Sequence, residues 1–169
     1  MKKSPNAAAP VIIRTGTPAD AGKIFSLLHG LAAHEGVLEN FRLTRHKLKR
    51  VLAEKERRVF CLLAMRGKRT VGLVLFFHAF ASLNGDWFIF VEDLFVTPEY
   101  RRRGIGKRLL REVARRAVSD GCPSLVWVAN ATNKSAIAFY KSLSAVRNKD
   151  SFQFVLRREA LQRLAKEAA

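Results

Sequence analysis

The fold is decided by residues 92–110, whose sequence is EDLFVTPEYRRRGIGKRLL. The apolar and aromatic run Trp87–Val96 overlaps this stretch and has the composition of a buried strand. Pro98 ends that strand, because proline cannot extend a ladder of backbone hydrogen bonds. From Ile105 to Ala117, every fourth residue is apolar, which is the stripe of an amphipathic helix. The stretch therefore predicts a strand, a tight basic turn and a helix.

The turn Arg101–Gly106 has the features of a phosphate-binding loop. Its two glycines let the backbone approach a ligand closely. The first amides of the helix that follows lack intrahelical partners and carry the positive end of the helix dipole. Three consecutive arginines add positive charge at the start of the turn. We therefore expect this turn to bind a phosphate or pyrophosphate group.

Two familiar phosphate loops are excluded by single residues. A Walker A loop requires glycine at position 101 and serine or threonine at 108, and both positions hold arginine. A dinucleotide-binding fingerprint requires glycine or alanine at 109, where the chain has Leu109. The pattern that remains is Arg-x-x-Gly-x-Gly. Taken alone, this hexapeptide is equally compatible with an arginine-rich turn that caps a helix.

Composition indicates one globular domain with a strongly basic surface. The chain has 169 residues, 49% of them hydrophobic and 27% charged, and its formal net charge is +17. That charge favours a polyanionic ligand or partner, or else reflects a solvated arginine-rich surface without a specific role. Two isolated cysteines give no disulfide framework, which favours a reducing cytoplasm. Residues 1–10 lack a hydrophobic signal core and are predicted to be a flexible basic tail.

The remaining elements are predicted from hydrophobic periodicity and capping residues. Helices are expected after the capping residues Thr17 and Thr44, and after either Thr132 or Asn133. A hairpin joins two strands through the turn Arg66–Arg69. The predicted strands besides the central one are Val11–Arg14, Val59–Met65, Thr70–Phe80, Ser124–Ala129 and a half-buried strand at Phe152–Leu156.

This order of elements resembles the GNAT superfamily of N-acetyltransferases, and within it most closely the diamine (spermidine/spermine) acetyltransferase group. The segments that carry the resemblance are Leu31–Glu35, Leu43–Thr44, Val91–Val96, Tyr100–Gly106 and Asn133–Lys141. The resemblance implies an α/β (α+β) fold with helices on both faces of a mixed central sheet. That sheet splays between the central strand and the parallel strand that follows it. The implied domain spans residues 11–157, followed by a C-terminal helix or tail at 158–169.

The resemblance also implies acetyl-CoA as cosubstrate, with no metal ion. The residues that match cofactor-binding positions of the family are Leu94, Phe95, Val96, Arg101, Arg102, Arg103, Gly104, Ile105, Gly106, Lys107, Asn133, Ser135 and Ala136. The residues that match substrate-binding positions are Glu92, Val126, Trp127 and Val128. The resemblance suggests a homodimer, and a nucleic-acid partner is left open but not favoured. No membrane attachment is expected, because no apolar run reaches transmembrane length.

Two residues match the catalytic positions of the family. Tyr140 lies where the resembling enzymes place a tyrosine that protonates the sulfur of CoA; its alternative role is a core aromatic on an amphipathic helix. Glu92 matches a general base that acts through water. Glu92 and Asp93 interrupt an apolar strand with two charges, and such charges are costly to bury unless they are paired or functional. Alternation places them on opposite faces unless a bulge intervenes, and for Asp93 a salt bridge to an arginine is the rival interpretation.

The acceptor region departs from the diamine group. Gly30 stands where that group has an acidic residue on its first helix, and Ser144 replaces a usual glycine. Because the acceptor region holds fewer acids, a polycation is a less obvious substrate. The sequence therefore predicts an acetyltransferase acting on a primary amine of a small molecule, diamine-like or amino-acid-like. The alternatives are a protein lysine or N-terminal acetyltransferase, and a non-catalytic module that binds CoA or RNA.

Overall fold

The computed structural model describes residues 9–56 and 58–148, together with residues 161 and 165. The chain forms two compact units, residues 1–128 and 129–169. The predicted strand Phe152–Leu156 lies outside the described residues, as do nearly all of the predicted basic tail and of the predicted C-terminal helix or tail.

The first unit is built on one mixed sheet of five strands in sequence order. The strands are β1 (Val11–Thr15), β2 (Phe60–Arg66), β3 (Arg69–Ala81), β4 (Asp86–Val96) and β5 (Leu125–Trp127). Neighbours from β1 to β4 pair antiparallel, whereas β4 and β5 pair parallel. The strands agree with those predicted from the sequence, including the β2–β3 hairpin and the central strand, and the predicted mixed sheet is confirmed.

The helices are α1 (Ala21–His34), α2 (Arg45–Ala53) and α3 (Ile105–Ser119) in the first unit, and α4 (Lys134–Lys141) in the second. The predicted caps of α2 and α4 are present. The Thr44 hydroxyl accepts a hydrogen bond from the Lys47 N–H at 3.2 Å. At the predicted start of the first helix, a single 3-10 turn at Pro18–Asp20 precedes α1.

The two helical layers cover opposite faces of the sheet. α1 and α2 bury their apolar sides against one face, in a cluster of Ala21, Ile24, Leu27, Leu28, Leu48, Leu52, Cys61, Leu63, Met65, Leu73 and Phe95. α3 contacts β1 to β4 through residues that are not in this cluster, among them Leu109 and Val113, which are fully buried. Burial of both faces explains why β2 and β3 read as nearly continuous apolar runs.

A bulge in the central strand changes the sheet at the predicted site. Phe76 of β3 pairs with Val91, and the next pair is Leu75 with Asp93, so Glu92 is an extra residue without a partner in this ladder. The parallel pairing with β5 also ends here, at Val91 and Trp127. Among the described residues, no strand pairs with that side of β4 from Glu92 to Val96. The predicted opening between the central strand and the following parallel strand is therefore present.

Candidate active site

The loop before α3 has an unusual backbone conformation. Gly104, which caps α3, has φ of 73°, and Arg102 has φ of 61°. Both values lie in the left-handed region, which a residue other than glycine adopts at a cost in energy. A Cβ atom at Gly104 would meet no atom within 4 Å. The requirement for glycine there is therefore conformational rather than steric.

The loop leads into α3, whose first backbone amides have no hydrogen-bond partner within the helix. The first helical hydrogen bond of α3 runs from the Arg108 N–H to the Gly104 carbonyl at 3.0 Å. The amides of residues 105–107 precede that bond, so they have no carbonyl partner within α3. Together with the helix dipole, these donors suit a phosphate or pyrophosphate group. The described loop geometry thus fits the group that the sequence predicted here.

The side chain of Arg101 is held against the protein. Arg101 donates from Nε to the Val96 carbonyl at 2.9 Å, its Nη1 lies 3.1 Å from His34 Nε2, and its guanidinium lies 5.6 Å from the ring centre of Phe95. Arg101 therefore ties the loop to the end of β4 and to α1. Sequence reasoning gave His34 no role; its place in the segment Leu31–Glu35 was the only signal that could have found it.

Three more guanidinium groups gather around one tyrosine beside the loop. Those of Arg66 and Arg103 lie 5.4 Å from the ring centre of Tyr100, and that of Arg69 lies 5.6 Å from it. Each distance is within the range of a cation–π interaction. This contact joins the β2–β3 hairpin to the phosphate loop, and it gives that edge of the molecule a high positive charge.

The two carboxylates of β4 have different surroundings. Glu92 is exposed, whereas Asp93 is half-buried. Burial, and after it the nearby carboxylates of Glu92 and Glu35, raise the pKa of Asp93 to about 6. No ion pair within the described part of the chain includes Asp93. The salt bridge that was the rival interpretation of Asp93 is therefore not formed among these residues.

A cleft of about 420 Å³ lies beside α1 at the end of β4. Gly30 and His34 of α1, Phe95 of β4, Arg69 at the start of β3 and Glu99 all line it. Sequence reasoning had singled out Gly30 and Phe95 but not Arg69 or Glu99. The two charged residues are distant in sequence from α1, and only the packing of the hairpin beside the loop brings them to this cleft.

The predicted wall of the opening beyond β4 is largely accessible. Val126 of β5 is exposed, Trp127 is half-buried, and Val128, which follows the strand, is exposed. All three belong to the first unit, as do Glu92 and the phosphate loop. An exposed pair of valines on a strand edge is compatible with contact to an apolar ligand segment.

In the second unit, the predicted residues lie on and before α4. Asn133 caps this helix, with its side-chain oxygen accepting from the Ala136 N–H at 3.0 Å. Ser135 is exposed in the first turn. Tyr140 is half-buried near the end of α4, and its ring centre lies 5.3 Å from that of Phe139. The structure thus places the cap and the tyrosine on one short helix, as the sequence predicted.

Comparison with known protein families agrees with this geometry. The family model described as "Acetyltransferase (GNAT) family" matches residues 30–144, which include the phosphate loop, the bulged strand and α4. The chain belongs to the GNAT family of acetyltransferases. It is accordingly an acyl-transfer enzyme, and the resemblance noted from its sequence is confirmed.

Curated relatives of this GNAT acetyltransferase act on amines according to their names. A thialysine N-epsilon-acetyltransferase of Caenorhabditis elegans is 30% identical over 158 residues, covering 92% of this chain and 97% of the relative. The human spermidine/spermine N(1)-acetyltransferase-like protein 1 is 28% identical over 141 residues, covering 79% of this chain and 20% of the relative. These two relatives support the resemblance to the diamine acetyltransferase group.

A solved structure with the same fold is an integron cassette protein from the mobile metagenome of V. cholerae. Its TM-score is 0.78 at 22% sequence identity, with 93% of this chain and 98% of that chain covered. Within the described part of this GNAT acetyltransferase, no helix combines the length and the apolar character needed to cross a membrane. The same residues contain no group of three or more His, Cys, Asp or Glu side chains that could hold a metal ion.

Proposed function

We propose that this enzyme transfers the acetyl group of acetyl-CoA to a primary amine of a small molecule. The observation that carries the proposal is the loop before α3. It combines two left-handed residues with three helix amides that have no intrahelical acceptor. This arrangement suits the pyrophosphate of CoA, and it stands beside a strand whose far edge is open.

The pantetheine arm would follow β4 from the loop towards Glu92. No described strand pairs with the β5 side of β4 at Leu94, Phe95 and Val96, so backbone groups on that side are available to the amides of pantetheine, except the Val96 carbonyl, which accepts from Arg101. Asn133, Ser135 and Ala136 match cofactor-binding positions of the family, and they are proposed to bind CoA as well. Arg102 and Lys107 are proposed to add charge at the pyrophosphate, since both lie in the matching loop.

The amine must lose a proton before it attacks the thioester. With a pKa of about 10.4, only about one amine in 10³ is neutral at pH 7. We assign the removal of this proton to Glu92, acting through a water molecule, because Glu92 is exposed at the bulge. Tyr140 is assigned the protonation of the departing thiolate. Both assignments rest on the family resemblance and on the positions of these residues in their own elements.

Asp93 is a second candidate for the base. Its carboxylate is half-buried and its pKa is raised to about 6, closer to neutrality than that of an ordinary aspartate. A base works best when its pKa lies near the working pH, which favours Asp93 on this criterion. Glu92 is favoured by its accessibility. Kinetic comparison of Glu92→Gln with Asp93→Asn separates these roles.

The acceptor is proposed to be diamine-like or amino-acid-like. The names of the relatives include both kinds, thialysine being an amino acid and spermidine a polyamine. Gly30 lines the cleft beside α1 where the diamine group has an acid, so this cleft offers less attraction to a polycation. We also propose a cytoplasmic location, because both cysteines are buried and free.

The proposal is tested with acetyl-CoA and a panel of amines that includes amino acids, diamines, polyamines, a lysine peptide and a peptide with a free N-terminus. We expect acetylation of at least one small amine, and micromolar affinity for CoA by calorimetry. Preferential acetylation of a peptide would support the protein-acceptor alternative instead. Absence of CoA binding, combined with salt-sensitive binding of RNA, would overturn the proposed function.

A further inference from the structure

The side chain of Arg101 anchors the phosphate loop to two other parts of the first unit. Its Nε donates to the Val96 carbonyl at 2.9 Å, which ties the loop to the strand that it follows. Its Nη1 lies 3.1 Å from Nε2 of His34, a residue 67 positions earlier in the chain. His34 thus gives the loop a hydrogen bond to α1.

The chemistry of the two groups fixes the direction of this hydrogen bond. A guanidinium group has five N–H donors and no acceptor, so Arg101 donates and His34 accepts. A lone pair is present at Nε2 only in the neutral imidazole whose proton is on Nδ1. His34 is therefore neutral and in that tautomer when it holds Arg101.

The end of α1 fixes the position of His34. His34 is the last residue of α1. Directly after it the helix is closed by a hydrogen bond from the Val37 N–H to the Ala32 carbonyl at 3.0 Å. Gly36 has φ of 70°, the left-handed glycine of a Schellman motif. The ring of His34 therefore offers its acceptor from a closed helix end.

The anchor at Arg101 matters because the next residue is strained. Arg102 has φ of 61°, in the left-handed region that a residue other than glycine adopts at a cost in energy. The two hydrogen bonds of Arg101 hold the chain directly before this residue, and Gly104 caps α3 shortly after it. If Arg101 is released, the free protein can relieve the strain. Part of the binding energy of a ligand is then needed to re-form the loop.

We propose that His34 is a positioning residue for the cosubstrate. It accepts the hydrogen bond of Arg101 and so holds the phosphate loop in the conformation that receives the pyrophosphate of CoA. The inference rests on the proposed acetyl transfer and adds a residue of α1 to those on which CoA affinity depends. His34 acts through Arg101, so its loss weakens CoA binding and leaves the acetyl-transfer step unchanged.

Two substitutions of His34 separate the hydrogen bond from packing. His34→Leu removes the acceptor, whereas His34→Gln supplies an amide oxygen that can accept from Arg101. In calorimetry, we expect His34→Leu to raise the Kd for CoA by about 3–10-fold, the effect of one hydrogen bond, and His34→Gln to stay within about 1.5-fold of the wild type. At saturating acetyl-CoA, kcat should be nearly the same in all three proteins.

A double-mutant cycle tests whether the effect passes through Arg101. Arg101→Met removes the guanidinium, so His34→Leu should cause no further rise in the Kd for CoA in that background. His46→Leu replaces another exposed histidine, in the first turn of α2, and should leave the Kd at its wild-type value. Thermal unfolding checks that each variant is folded. The comparison of His34→Leu with His34→Gln stands alone if Arg101→Met does not fold or binds CoA too weakly to measure.

Three outcomes would overturn the inference. The first is a His34→Leu variant that binds CoA as tightly as the wild type. The second is a His34→Gln variant that loses as much affinity as His34→Leu, and the third is an effect of His34→Leu that persists in full in the Arg101→Met background. Failure of the proposed function looks different, because the wild type itself would then bind no CoA and acetylate no amine of the panel; that result would remove the inference as well.

Discussion

Glu92 directly precedes Asp93 in β4, yet only Asp93 has a partner in the β3–β4 ladder, where it faces Leu75. The bulge thus places two carboxylates side by side while giving them different environments. Glu92 is exposed and Asp93 half-buried, and burial is the largest cause of the raised pKa of Asp93. Two neighbouring acids with different surroundings are suited to different parts of one proton-transfer reaction.

Replacement of Glu92 tests its role as base. Glu92→Gln preserves shape and removes both charge and basicity, so kcat/KM at pH 7 should fall by about 10²–10⁴-fold. Part of the activity should return as pH rises, because more of the amine is then neutral. The measurement is a pH–rate profile, with Asp86→Asn, an exposed acid at the start of the same strand, as control. A pH–rate profile of Glu92→Gln that overlays that of the wild type in height and shape would assign the role of general base to Asp93.

Replacement of Asp93 should stabilise the protein above neutral pH. The pKa of Asp93 rises from 3.8 to about 6 on folding, so the folded state holds the proton more tightly than the unfolded chain. The stability associated with neutral Asp93 is present below pH 4 and is lost as pH rises through 6. Asp93→Asn should therefore raise the free energy of unfolding at pH 8 by about 1–3 kcal/mol. At pH 4 it should change little.

Urea unfolding at the two pH values measures this effect. Because Asp93 is a candidate for the base, the stabilised variant should also lose activity, the usual cost of removing strain from an active site. Equal stability changes at pH 4 and pH 8 would show that titration of Asp93 does not govern the difference.

The left-handed glycine of the phosphate loop gives a prediction about cofactor binding. Gly104→Ala should cost about 1–2 kcal/mol of stability from its φ alone. Gly85 in the β3–β4 turn has nearly the same φ, 70°, and open space around it, so Gly85→Ala should cost the same. Only Gly104→Ala should weaken CoA binding, by at least about tenfold, if the loop binds the pyrophosphate through its amides. Equal CoA affinity of the two variants in calorimetry would contradict the assignment.

Removal of the Tyr140 hydroxyl tests the proposed role of this residue as the general acid. Tyr140→Phe keeps the ring on α4, and kcat should fall by about 10²–10⁴-fold with CoA affinity nearly unchanged. Tyr100→Phe removes the other tyrosine hydroxyl of the chain and should leave kcat within about twofold, since its described contacts are made by the ring. Full turnover by Tyr140→Phe would return Tyr140 to the role of a packing residue.

Local signals in the sequence were sufficient for the elements that carry the site. The strand that ends before Pro98, the helix that begins at Ile105, and the caps Thr44 and Asn133 were all predicted and are present. Each depends on a residue type whose backbone preference acts within one turn or one strand. The family resemblance then supplied the topology of the sheet.

Features that depend on packing between distant segments were not predictable in the same way. The sequence pair Glu92-Asp93 left open whether a bulge was present, because register depends on both strands. The contact of Arg101 with His34, and the meeting of Arg69 and Glu99 in one cleft, join segments that are far apart in the chain. No periodicity or capping rule specifies which of many arginines will meet a given histidine or carboxylate.

The early end of the β4–β5 pairing has a consequence for how the protein behaves without its cosubstrate. From Glu92 to Val96, one side of β4 offers amide and carbonyl groups with no partner in the described sheet, which is the property of an edge strand inside the fold. A cosubstrate with peptide-like amides would complete this edge as an added strand does. Deuterium exchange at these amides should then slow when CoA binds, and the protein stored without CoA should aggregate more readily than the loaded form.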